Sequence, residues 1–204
     1  GSALIRECVG NSVSVLAIVR KNSQKLNRII DSSLVTILEC DLDNLNSIDI
    51  NESDYDVFYH FAWDATSKDE RNDTVKQSKN ILHTLDSVNL AKKSGCKVYV
   101  GAGSQAEYGL VLNRISPDTP CNPVTAYGVA KYAAGKLSLI SCRESGISHI
   151  WARVFSIYGP NDASETLINY CIKKLLSGEK PALTNCEQMW DYLHCYDAAR
   201  AFYL

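Results

Sequence analysis

A chain of 204 residues is long enough for one sizeable core, or for one core and part of another. With 46% hydrophobic and 22% charged residues and a formal net charge of -2, it shows neither a basic footprint for nucleic acid nor an acidic tail, and reads as a soluble globular protein that handles a small molecule. No apolar run approaches the ~20 residues of a membrane span, and the eight cysteines, scattered through apolar segments without a CxxC pair, read as reduced cytosolic thiols.

Ser2 to Val9 reads as a short amphipathic helix, and the β-branched run Val13 to Val19 as a buried strand. Leu34 to Cys40 and Asp56 to Ala62 read as further strands, apolar nearly throughout, the pattern of a parallel sheet covered on both faces. A long helix is predicted from Thr74 to Lys93, stopped at Ser94-Gly95, where glycine supplies the left-handed turn. Cys96 to Gly101 reads as a strand, Thr125 to Arg143 as a helix and His149 to Phe155 as a strand. Strand and helix thus alternate as in a doubly wound α/β sheet. After Gly159-Pro160 the pattern changes: Glu165 to Leu176 is helical, Pro181 to Thr184 short and extended, Trp190 to Cys195 strand-like and Asp197 onward helical.

In open α/β sheets, ligands sit beyond the carboxyl ends of the strands, so residues directly after strands weigh most. Tyr127 and Lys131 lie four apart on a predicted helix, which stacks their side chains on one face. A phenol with an ordinary pKa of about 10 exchanges protons poorly at neutral pH, and a cation held beside it favours the phenolate. Such a pair is acid–base machinery for interconverting an alcohol and a ketone, although the spacing also recurs on helices with no such role. Ser104 closes the run Gly101-Ala102-Gly103-Ser104, read as a glycine-rich turn at a strand's carboxyl end, where a hydroxyl either holds a substrate oxygen or caps a turn. His60 has no companions at metal-ligand spacing and reads as a structural histidine, so no metal is expected.

Beside Ser104, Tyr127 and Lys131, the chain carries Asp41-Leu42 after one strand, His60-Phe61-Ala62-Trp63 after the next, and Tyr108-Gly109 shortly after Ser104. Asn80 is read as opening the long helix, and the segments Arg153 to Pro160 and Trp190 to Asp197 complete the set. In these motifs and their order it resembles the extended short-chain dehydrogenases/reductases of the NAD-dependent epimerase/dehydratase family, which act mostly on nucleotide sugars. The resemblance runs the whole length. It implies a Rossmann-like dinucleotide-binding domain over 1–160 and part of a substrate-binding region over 161–204, whose last stretch returns to the main domain. It also implies that Gly1 is the last glycine of a GxxGxxG turn, so that the first strand and most of the C-terminal domain would lie outside this chain.

The resemblance carries roles with it. Ser104, Tyr127 and Lys131 would be catalytic, with Lys131 also binding the nicotinamide ribose. Asp41 would accept from the adenine amino group with Leu42 packing nearby, Phe61, Ala62 and Trp63 would line the pyrophosphate and nicotinamide side, Asn80 would support the catalytic helix, and Phe155 would flank the nicotinamide. Asp41 also reads as a turn former, the aromatic residues as core and Asn80 as a helix cap. Arg20 falls where the family reads the adenosine ribose, and with Lys21 it offers two cations suited to a 2′-phosphate. NADP(H) is therefore expected slightly ahead of NAD(H). The family's habit further implies a homodimer packed through the helices at Thr74–Lys93 and Thr125–Arg143.

Three departures shape the functional reading. Gln105 and Ala106 stand where dehydratases of the family carry Asp-Glu, which disfavours dehydration, and alternation is expected to turn the neighbouring Glu107 away from the site. Ser156 replaces an Asn near the substrate, and Trp190 an Arg that clamps the substrate diphosphate, leaving an aromatic face instead of a bidentate cation. The expected protein is a cytoplasmic NAD(P)-dependent epimerase or reductase of a nucleotide sugar, working by hydride transfer at a sugar carbon. The alternative is a non-catalytic NAD(P)-binding regulatory protein of the same fold.

Overall fold

The computed structural model describes residues 1–50 and 55–204, and the chain divides into two compact units, Cys40–Val154 and the pair of segments Gly1–Glu39 and Phe155–Leu204. In the second of these, helix α1 (Ser2–Gly10) leads into strand β1 (Val15–Val19), which pairs in parallel with β2 (Val35–Glu39). From the other end of the chain come β6 (Ser156–Tyr158), α4 (Leu167–Leu176), β7 (Tyr192–His194) and α5 (Cys195–Tyr203). β6 pairs in parallel with β7, and α5 packs on α1. No strand forms at Pro181 to Thr184, where the extended stretch has no pairing partner. β6 was not foreseen, since three residues leave no readable period and their partner lies more than 30 residues on.

Cys40–Val154 holds a three-stranded parallel sheet in the order β3 (Val57–His60), β4 (Val98–Ser104), β5 (Ser148–Val154). Parallel neighbours need crossovers, and these are α2 (Thr74–Lys93) between β3 and β4 and α3 (Ala126–Glu144) between β4 and β5, which pack against each other. α2 begins where Asp73 accepts hydrogen bonds from the Val75 and Lys76 N–H groups, and the chain leaves it through Gly95 at φ 74°.

Register builds the interior. Phe58, Tyr99 and His149 are cross-strand partners, and their rings stack across the sheet at 5.8 and 5.7 Å between centroids. Tyr99 is fully buried, its hydroxyl hydrogen-bonded to Ser87 of α2 at 2.7 Å, and Val88, Ala91, Cys96, Cys142 and Ile147 close the core around it. Trp151, two residues beyond His149 and on the same face, lies over Gly101 and Gly103 of β4 and against Gly135 of α3, where any Cβ would collide with its indole. The glycine-rich stretch is thus part of strand β4, which runs to Ser104, and not a turn after it. Its glycines make room for a tryptophan. On the face opposite Tyr99, Val57 and Ile150 are exposed.

Candidate active site

β4 delivers Ser104 as its last residue, and the chain then turns into a short 3-10 helix, Gln105–Glu107. Ser104 caps that helix. Its Oγ accepts from the Ala106 N–H at 3.2 Å, and its own N–H donates to Glu107 Oε1 at 2.7 Å, a reciprocal capping box. The capping role read from the sequence is therefore present, and the buried hydroxyl keeps its proton free to donate.

α3 starts at the cap Thr125, whose Oγ1 accepts from Gly128 N–H, and places Tyr127 in its first turn and Lys131 in its second. The helix start is anchored on the segment before α2. Tyr127 N–H donates to Arg71 O at 3.0 Å, and Ala126 N–H to Asn72 Oδ1 at 3.2 Å. Gly128 lets α3 approach the Ser104 turn, since a Cβ there would stand 2.5 Å from the Ala106 carbonyl oxygen. Arg71 lies over the half-buried Tyr127 ring, 4.5 Å from its centroid, a cation neighbour that sequence reasoning missed because it sits 56 positions away in an irregular segment.

Lys131 is the most constrained ion of the group. Only 4% exposed, its ammonium donates to Ala102 O of β4 at 2.7 Å, sits 3.7 Å over the Trp63 ring and lies 5.9 Å from the Tyr127 ring. Burial lowers its pKa from 10.5 to about 7, the Glu107 carboxylate pulling the other way. Near neutral pH, its charged and neutral forms are thus comparably populated.

Trp63 itself is held by α2. Its indole N–H donates to Gln77 Oε1 at 3.0 Å, Gln77 Nε2 donates to Ala65 O at 2.8 Å, and Asn80 bonds both the N–H and the carbonyl of Asp64. Asn80 lies inside α2 and bonds the loop after β3, while the cap of α2 is Asp73. Gln77 was not singled out from the sequence. The available signal was two amides three apart on a buried helix face. Phe61 is partly buried and Ala62 exposed in the same loop. Asp41 and Leu42 open the 3-10 helix Leu42–Ser47, which is strapped to α2 by Asp43 to His83 at 2.8 Å and Asn46 to Asp86 at 2.5 Å. His60 is buried beside Thr84 Oγ1 at 3.4 Å, and burial drives its pKa to about 3, so it stays neutral, as a structural histidine would.

Glu107 faces inward, contrary to the alternation argument, because the segment is helical and not extended. The carboxylate accepts from Ser104 N–H, from Trp151 Nε1 at 2.9 Å and from Arg153 Nε at 2.8 Å. In the other unit, Gly1 caps α1 with open space where a Cβ would stand, Arg20 is exposed directly after β1, and Phe155 precedes β6, 38% exposed. Ser156 and Trp190 come together there, the indole N–H donating to Ser156 Oγ at 2.5 Å. Among the described residues no cluster of three or more His, Cys, Asp or Glu could hold a metal, and no helix is long and apolar enough to cross a membrane.

A parallel α/β unit with a hydroxyl at one strand end, and a tyrosine and a buried lysine on the following helix, defines a Rossmann-like class of fold. The chain belongs to the NAD dependent epimerase/dehydratase family, whose model it matches over residues 1–204. A Methanocaldococcus jannaschii protein provisionally named UDP-glucose 4-epimerase is 24% identical over 98% of this chain and 68% of its own length. An uncharacterised UDP-glucose epimerase of Bacillus subtilis, YtcB, is 28% identical over 44% of this chain, a match spanning 28% of that protein. Among solved structures, a UDP-glucuronic acid 4-epimerase of Bacillus cereus in complex with NAD superposes with a TM-score of 0.81 at 21% identity, covering 100% of this chain and 68% of that one. A UDP-N-acetylglucosamine 4-epimerase of Methanobrevibacter ruminantium gives 0.83 at 21% identity, over 98% and 67%. These structural likenesses establish the fold.

Proposed function

We propose that the protein is a cytoplasmic NAD(P)-dependent epimerase or reductase of a nucleotide sugar, with Ser104, Tyr127 and Lys131 as its catalytic residues. The observation that carries this is Lys131, a lysine buried between Trp63 and Tyr127 and fixed to the β4 backbone. A purely structural lysine has little reason to be desolvated there. Its donor set fits a dinucleotide, since Ala102 O takes one of three N–H donors and leaves two for a ribose diol. Asp41 and Leu42 would hold the adenine, Phe61, Ala62 and Trp63 the pyrophosphate side, and Asn80 the loop that carries them. Gly1 and Phe155 are assigned to the cofactor by the same family reading. Arg20 favours a 2′-phosphate, hence NADP(H) slightly ahead of NAD(H).

A bound nicotinamide supplies the hydride acceptor and donor. The Tyr127 phenolate takes the proton of the sugar hydroxyl as it becomes a ketone and returns it on reduction, Lys131 stabilises the phenolate charge, and the Ser104 hydroxyl holds the reacting oxygen. With such a cofactor bound, the same three residues would serve either an epimerase, whose ketone would be reduced from its other face, or a reductase, whose substrate would arrive as the ketone. Gln105 and Ala106 offer no acid–base pair and Glu107 is committed to three donors, so elimination of water is left out. Ser156 and Trp190 would contact the substrate, and a homodimer through α2 and α3 is supported by exposed Leu82, Val129 and Ile140.

The test is turnover of UDP-sugars and their 4-keto forms with either cofactor, compared with Tyr127→Phe. The variant is expected to lose roughly 10^3-fold in rate while binding cofactor and melting as wild type does. A Tyr127→Phe protein that turns over normally would refute the catalytic role of Tyr127, and a wild-type protein that turns over none of these sugars, with every measurable phenotype unchanged in Tyr127→Phe, would support the regulatory alternative.

A further inference from the structure

Glu107 is fully buried, and no step of the proposed chemistry uses it. A capping box needs its carboxylate only for the Ser104 N–H. Here the same carboxylate also accepts from two residues of the next strand, Trp151 and Arg153 of β5. Arg153 in turn reaches the Tyr108 hydroxyl at 3.2 Å and lies 4.9 Å over its ring, so the residue after Glu107 is gripped from the same side. The carboxylate and the Trp151 indole together fill the space beside Gly103, leaving no room for a side chain immediately before Ser104. The Ser104 turn is thereby tied to β5 on one side and packed under Gly128 of α3 on the other.

We infer that Glu107 is a positioning residue, which through the Ser104 N–H and its two β5 donors holds the Ser104 hydroxyl in place relative to Tyr127 and Lys131. The inference rests on the Ser-Tyr-Lys reading above. The carboxylate has a second effect in the same place, because its charge opposes the desolvation of Lys131. The charged and titratable groups around Lys131 are Glu107, His60 of β3, Tyr127 on its own helix, Arg71 over Tyr127 and Arg153 beyond Glu107. Glu107 is the acid among them. Removing it therefore displaces the Lys131 titration toward lower pH.

Two variants separate these effects. Glu107→Gln keeps the shape and an acceptor for Ser104 N–H but loses the charge, and Glu107→Asp keeps the charge but draws it back by one methylene. Glu107→Asp is expected to lower kcat about 10- to 100-fold per folded molecule with cofactor KM within about twofold, and to cut the hydrogen-exchange protection of the Ser104 amide at least about tenfold. Glu107→Gln is expected to move the Lys131 titration, followed by NMR of its labelled ε-carbon and assigned with Lys131→Arg, toward lower pH. Unchanged Ser104 protection in Glu107→Asp, or an unmoved Lys131 titration in Glu107→Gln, overturns the inference. If the wild-type protein transfers no hydride, the enzymatic reading fails by itself, while the exchange and NMR measurements still decide the role of Glu107.

Discussion

Lys131→Met keeps the length and most of the volume of the side chain and removes its charge, so it isolates what burying that charge costs the fold. The fall of the lysine pKa from 10.5 to about 7, at 1.36 kcal/mol per pH unit, corresponds to about 5 kcal/mol of bias against the ammonium inside the protein. At pH 7, where the folded amine is half protonated, about 4 kcal/mol of that bias weighs on stability. Against it stand the hydrogen bond to Ala102 O and the placement over Trp63, about 1 kcal/mol each. Lys131→Met is therefore expected to be more stable than wild type by about 2 kcal/mol at pH 7, and inactive. The sign with pH follows from proton binding. Below pH 7 both folded and unfolded lysines hold the proton and the whole penalty stands. Between about 7 and 10.5 only the unfolded chain holds it, so wild-type stability climbs with pH. Above 10.5 the penalty is gone. Urea unfolding of both proteins at pH 7, 8 and 9 should show the variant's advantage shrinking by about 2 kcal/mol across the series. A difference that stays constant from pH 7 to 9 would refute the buried-charge account of this site.

Two further substitutions probe how the site is held. Gly128→Ala would drive a methyl group into the Ala106 carbonyl oxygen, and is expected to cost about 1–3 kcal/mol in urea unfolding as α3 backs away from the Ser104 turn. Asn80→Ala leaves both backbone groups of Asp64 without their amide partner, and is expected to cost about 2 kcal/mol by thermal unfolding and to loosen Trp63, seen as a red shift in its fluorescence.

How far the fold could be read in advance varied with the range of the forces that set each part. The extent of α2 was legible from its apolar positions and from the stop at Ser94-Gly95, which acts within a turn of the helix it ends, whereas its cap, Asp73, emerged only in the structure. The face shared by Tyr127 and Lys131 followed from helix geometry alone, and the order of strand-end motifs already indicated the family. The carboxylate of Glu107 was misread because alternation assumes an extended chain, and only the 3-10 turn with its cap points it inward. Gly101 and Gly103 looked like a turn until the register of β4 and β5 set Trp151 over them.

By itself, then, the sequence determined the alternation of strands and helices, the residue types at the strand ends and the spacing of tyrosine and lysine, all properties of short stretches of chain. Tertiary structure alone decided the chemistry of those side chains. The low proton affinity of Lys131 comes from β4, Trp63 and α3 excluding water together, and the setting of Ser104 comes from donors on a strand more than 40 residues away. Desolvation and hydrogen bonding depend on what surrounds a group in space, and no local pattern encodes that.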